Sequence, residues 1–197
     1  MSRPPLWALV SSFAAMVFLV GGWLIGAAGQ PPGYDPVHET ISALARHGAA
    51  HRWVMTVGLA GLGAAHIVTA CGLAALRRTG RVVLAAGGVA TLGVSVFAQP
   101  PHGSSAVHIA LATIGFVLLA VWPATTATRD GRAPAAIRPT AAVLATVGSI
   151  GLLAWVGATQ RSGPLGLSER LLTFEQAFWP FVVVVALRYR RTGTITT

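Results

Sequence analysis

The sequence predicts an all-α fold, a polytopic membrane bundle of six transmembrane helices forming one integral membrane domain over residues 1–197. Three observations predict it. The chain is 54% hydrophobic and 10% charged, with a mean hydropathy of +0.67, whereas a soluble domain carries about 25% charged residues. Six apolar stretches each approach the roughly 20 residues that cross a hydrocarbon core. Arg residues crowd alternate loops between them, as they do in multi-pass membrane proteins.

The first span is expected over residues 7–28. Gly26-Ala27-Ala28 offers small residues of the kind found at signal cleavage sites, but the apolar run is longer than a signal core, so the helix is expected to be retained. The loop that follows begins a helix at Asp35-Pro36, an N-cap acceptor followed by a preset φ. Val37, Ile41, Leu44, Ala45 and Ala49 recur there at helical spacing, with His38, Glu39, Ser42, Arg46 and His47 between them. This predicts an amphipathic outer helix over 36–49 that either lies in the membrane interface or caps the bundle.

The second span, 52–76, carries His66 and Cys71. His66 is expected to pack while donating to a neighbouring carbonyl. The lone cysteine excludes an intrachain disulfide and is expected as a buried packing residue. Spans follow at 82–98, where Thr91 and Ser95 share a face, and at 105–127, 140–159 and 171–187. Glycines at 58, 61 and 63, at 87, 88 and 93, and at 148, 151 and 157 are expected to let helices approach closely. Gln30-Pro31-Pro32, Gln99-Pro100-Pro101 and Gln160 with Pro164 follow alternate spans. They hint at three hairpins, although proline beyond a helix end is ordinary stop grammar.

All fourteen basic residues are Arg. Ten of them (Arg3, Arg77, Arg78, Arg81, Arg129, Arg132, Arg138, Arg188, Arg190 and Arg191) fall on one side, and Arg46, Arg52, Arg161 and Arg170 on the other. The excess marks the cytoplasmic side, so both termini are expected there, in a plasma membrane. Topology thus accounts for the net charge of +9, and with no groove-reading motif a nucleic-acid partner is not expected.

Histidines and acids gather at the opposite, outer end. Asp35, His38, Glu39, Ser42 and Arg46 lie in the long loop, His102 and His108 at the second outer turn, and Glu169, Arg170 and Glu175 at the last span. These ten are the ligand-binding candidates. Glu175 stands out because ionisable groups within spans are rare and face a cavity or a partner. Pro180 deprives the Gln176 carbonyl of its helical donor and so opens polar backbone beside Glu175. A structural Glu175–His108 or Glu175–Arg pair is the competing account.

The elements Gly33-Tyr34-Asp35-Pro36 and Thr40-Ile41-Ser42-Ala43-Leu44-Ala45, Trp53, Pro100 with His108, and Gly166-Leu167-Ser168-Glu169-Arg170 occur in that order. They resemble the pattern of the domain-of-unknown-function 998 (DUF998) membrane family over nearly the whole chain. The resemblance implies a bacterial integral membrane protein of about six spans and leaves its biochemistry open. The Ile-Ser-x-Leu element alone is also similar to the outer loop of Frag1/DRAM/Sfk1 membrane proteins, some of them linked to lipid remodelling.

Several chemistries can be weighed on these residues. Haem ligation does not suit His66 and His108, which differ in depth by roughly 15 Å at helical rise. Zinc is the alternative cofactor, with His38, His102 and His108 as ligands and Glu39, Asp35 or Glu175 as general base, since a catalytic zinc needs three protein ligands. That arrangement resembles the lipid amidases of the ceramidase and progestin-receptor-like group, but lacks their His-x3-His within a span. His47-x3-His51 has the spacing, beside the disfavouring charge of Arg52. A serine hydrolase would pair Ser42 with His38 one helical turn away, without a Gly-x-Ser-x-Gly elbow. No phosphate loop supports a nucleotide enzyme, and no inverted repeat supports a carrier. The expectation is a protein that binds or handles a membrane lipid or small amphiphile in an outer-leaflet polar pocket, with Arg46 or Arg170 for phosphate. Zinc-dependent lipid hydrolysis is the alternative, and a homo-oligomer or a membrane-protein partner, as for a subunit of a complex, is left open.

Overall fold

In a computed structural model the described residues, 2–190, are all helical apart from loops, with no strand among them. Arg191 lies outside the described residues. Six helices are long and apolar enough to cross a membrane: α1 (Leu6–Ala28), α3 (Trp53–Gly72), α4 (Arg78–Val96), α5 (Ala106–Thr126), α6 (Pro139–Thr159) and α7 (Leu165–Arg188). A short helix, α2 (Ile41–Ala45), follows α1, and a 3-10 turn, Ala135–Ile137, precedes α6. The protein is a multi-pass membrane protein.

The spans form a ring. Packing runs α1–α3–α4–α5–α6–α7 and closes from α7 back to α1, while α2 sits over one end against α1, α3 and α7. Large apolar side chains such as Val10, Phe13, Leu24, Leu144 and Val147 are exposed on the outside, where lipid rather than water is the solvent. Lipid supplies no hydrophobic push between helices, so contact depends on small residues and hydrogen bonds. A Cβ on Gly63 would stand 2.6 Å from the Gly88 carbonyl, and one on Gly88 the same distance from the Gly63 carbonyl. Ser11 and Thr69 share a hydrogen bond of 2.8 Å between α1 and α3, and the Trp122 indole donates to the Gly80 carbonyl at 2.8 Å between α5 and α4.

Four expectations need correction. Gly148, Gly151 and Gly157 do not pack helices together, since a Cβ there meets nothing within 4 Å; α6 has an open face. Cys71 is exposed rather than buried, because the end of α3 turns it outward. The last span begins at Leu165, six residues before the expected start. Its first turns carry polar residues that hide it from a hydropathy reading, yet Ser168 and Glu169 are buried within the bundle. The helix expected over 36–49 is only the five residues of α2. Thr40 is extended and caps it, Arg46 returns to extended backbone at φ −61° and ψ 154°, and Gly48 is left-handed at φ 87°. Asp35 instead organises a separate turn, accepting from the Val37 N–H at 2.8 Å and, through its carbonyl, from the Glu39 N–H at 2.8 Å.

Candidate functional site

The loop between α1 and α3 is lashed to the bundle at several points, which puts α2 in a fixed place. The Leu167 N–H donates to the Val37 carbonyl at 3.0 Å and the His47 N–H to the Gln99 carbonyl at 2.9 Å. Gln30 Nε2 donates to the Ala50 carbonyl at 2.8 Å. Arg170 is the central clamp: Nη1 donates to the carbonyls of Pro36 at 2.6 Å, Glu39 at 2.8 Å and Gly166 at 2.9 Å, and Nη2 to the Tyr34 hydroxyl at 2.7 Å. Burial pushes the Tyr34 phenol above its ordinary value, against the opposing pull of the Arg170 charge. Gly166 allows the approach, since a Cβ there would overlap the carbonyls of Glu39 and Pro36.

Thr40 Oγ1 accepts from the Ala43 N–H at 3.1 Å and so caps α2. Ile41, Leu44 and Ala45 are buried against the bundle, and Glu169 Oε2 accepts the Ile41 N–H at 2.5 Å. With Ile41 pinned, Ser42 faces α5. Ser105 caps that helix by accepting from the His108 N–H at 3.3 Å. The His108 ring then bridges two elements, with Nδ1 2.8 Å from the Phe97 carbonyl and Nε2 3.1 Å from Ser42 Oγ. A carbonyl only accepts, so Nδ1 carries the proton and, in the neutral ring, Nε2 is a bare acceptor. The Ser42 hydroxyl therefore donates to His108.

Ser42, His108 and Glu169 border a groove of about 380 Å³. Thr40 and Ser42 roof it, α5 and α6 form its walls, and Leu165 and Glu169 of α7 lie behind. Six of its seven polar groups (Thr40, Ser42, Gln99, His108, Gln160 and Glu169) stand at the α2 end, while Ala112, Phe116, Leu153 and Val156 continue along the spans with Thr113 as the one polar side chain among them. Ile109 on its edge is exposed, so the groove opens on the lipid side. A smaller interior cavity of about 40 Å³ shares Ser42, Ala112, Phe116 and Glu169 with it and reaches His66.

The ten candidates divide. Ser42, His108 and Glu169 come together. Asp35 and His38 pair with each other at 2.6 Å on the exposed side of the loop, and the hydrogen bond from His38 holds the Asp35 carboxyl below its ordinary value. Glu39 and Arg46 face each other at 3.8 Å, Arg170 is the clamp described above, and His102 is exposed. Glu175 is not near the groove. The early start of α7 puts it ten residues deep, roughly 15 Å at helical rise, at the level of Ser149 on antiparallel α6, which donates to it at 2.5 Å. Among the described residues neither the Glu175–His108 nor a Glu175–Arg pair forms.

The partner of Ser42 is His108, not His38, because the chain between His38 and Ser42 is not helical. Residues 47–51 likewise form turns, so His47 and His51 share no helix face. No three His, Cys, Asp or Glu side chains among the described residues gather as a metal site, and His38, His102 and His108 point into different surroundings. Both ring nitrogens of His66 are buried without a protein partner, against the expected bond to a carbonyl. The sequence reading missed Thr40, Gln99 and Gln160 as groove residues and Tyr34 as a clamp partner. The residue before a helix of Ile-Ser-Ala-Leu-Ala is a recognisable cap position, but nothing local signals the others.

No curated protein and no solved structure matches the chain. The family described as "Protein of unknown function (DUF998)" matches residues 12–186, and the chain, with its six apolar spans, belongs to that family.

Proposed function

We propose that the protein binds one membrane lipid or similar amphiphile in the groove between α5 and α6, headgroup beneath α2 and chain along the spans. The observation that carries this reading is the division of the groove wall, polar at the α2 end and, Thr113 apart, apolar beyond it. An amphiphile needs that division, and a soluble polar metabolite would leave the apolar half unmatched. No Arg lines the groove, and the guanidinium of Arg170 is occupied by four oxygen acceptors. The lining therefore suits an uncharged headgroup of hydroxyl, ester or amide type better than a phosphate. The Arg excess at the opposite end orients both termini towards the cytoplasm and the groove towards the outer leaflet of the plasma membrane.

Ala112, on the wall of both spaces, gives the test. A monoalkylglycerol ether, which has no ester to cleave, should raise the unfolding temperature of the detergent-purified protein, and Ala112→Trp, which fills the groove, should abolish the rise without unfolding the protein. A wild-type protein indifferent to the monoalkylglycerol, or a variant that responds equally, would overturn the reading.

A further inference from the structure

We propose that Ser42 and His108 are a nucleophile and general base that cleave an acyl ester of the lipid held in the groove. The inference rests on the groove being the lipid site, and adds a reaction to it.

An activated serine needs a base within hydrogen-bond reach, and the base must itself be oriented by a third group. All three parts are present. Ser42 Oγ lies 3.1 Å from His108 Nε2, and the Phe97 carbonyl holds Nδ1 at 2.8 Å. That second bond fixes the tautomer in which Nε2 is free to take a proton, the role a carboxylate plays in a serine triad. The two atoms come from elements 66 residues apart. Each is set by its own cap, Thr40 for α2 and Ser105 for α5, so the geometry does not depend on one flexible loop. A hydrogen bond that served only to tie α2 to α5 would have no need of access, yet both residues border the groove.

The chemistry balances with water as the only co-reactant. Ser42 passes its hydroxyl proton to His108 Nε2 as Oγ bonds to the ester carbonyl carbon. The tetrahedral intermediate collapses, the ester C–O bond breaks, and the leaving alcohol takes the proton from Nε2. Water then repeats the sequence on the acyl-Ser42, releasing a fatty acid and restoring the serine. Gln99 and Gln160 bring amide N–H donors to the same wall. The position of the dyad at the polar end suits the ester of a glycerolipid, which lies between headgroup and chain.

The test uses the full chain in lipid nanodiscs and a long-chain alkyl fluorophosphonate, which labels only an activated serine. Peptide mass spectrometry should find the adduct on Ser42. Ser42→Ala should remove it, and His108→Gln should slow labelling by about 100-fold, the lower end of a general base contribution. The wild type should also release fatty acid from monoacylglycerol in the nanodisc, and Ser42→Ala should not. No adduct on Ser42, or labelling equally fast in a folded His108→Gln protein, overturns the proposal. Wild-type mapping needs no variant to fold. If the monoalkylglycerol still protects the wild type against heat while Ser42 stays unlabelled, hydrolysis falls and the binding reading stands. Loss of the protection itself is the failure of the binding reading.

Discussion

Arg170 should be the residue on which the α1–α3 loop most depends. Its four hydrogen bonds join α7 to Tyr34, Pro36 and Glu39 and so hold the approach to α2. Bonds from a charged donor contribute about 1.5–3 kcal/mol each, but not all four count fully. The Gly166 bond stays within one turn of α7, and the Pro36 bond is exposed, so water replaces much of it. The Glu39 and Tyr34 bonds, both part-buried, leave about 3 kcal/mol at the low end of that range. A domain of this size loses about 2–4 °C of Tm per kcal/mol. Arg170→Ala should therefore lower Tm by roughly 6–12 °C in detergent, measured by far-ultraviolet circular dichroism, and speed proteolytic cutting within residues 33–52. Arg170→Lys should recover only part, since a compact ammonium cannot fork between a phenol and two carbonyls. An Arg170→Ala protein within about 2 °C of wild type, with the loop equally resistant, would refute the clamp.

The other expectations concern separate parts of the molecule. Gly88→Ala should destabilise by about 1–3 kcal/mol, since its Cβ would force backbone apart at the Gly63 contact, whereas Gly151→Ala, in open space, should be neutral or slightly stabilising; paired thermal scans decide it, and equal effects would count against the α3–α4 contact. His66→Leu should raise Tm, because the ring has two buried nitrogens without a protein partner and each such group costs about 1–3 kcal/mol; a lowered Tm would show that the ring holds a ligand. Asp35 titrates below its ordinary 3.8 when folded, so the contribution of its turn is present above that value and fades as pH falls through the lower folded one. Amide exchange at Val37 should show this acid step, and Asp35→Asn should lack it. Reporters fused at Gly131 and Gly163 should fall on opposite sides of the membrane, and finding both on one side would contradict the six-span topology.

Hydropathy and Arg placement determined the spans without help, because the cost of charge in hydrocarbon acts on each residue wherever it stands in the chain. Where a helix carried polar side chains that packing later satisfied, that signal failed. The first turns of α7 looked like loop because Ser168 and Glu169 are polar, yet Ser168 bonds Thr159 at 2.9 Å and Glu169 takes the Ile41 N–H. The early start moved Glu175 from the rim to the depth of Ser149. The amphipathic pattern over 36–49 was real in composition, but Thr40, Arg46 and Gly48 broke its backbone.

By itself the sequence determined a multi-pass helical bundle of this family and one end rich in His and acid. Only the tertiary structure decided which of those groups meet. Ser42 and His108 are 66 residues apart, and no spacing rule reaches across the two helices between them. Each stands on a locally capped helix end, but their contact depends on long-range facts, the Ile41 N–H pinned by Glu169 and the packing of the spans into a ring. The same packing sent His38 to Asp35, Arg170 to the loop carbonyls and Glu175 to Ser149.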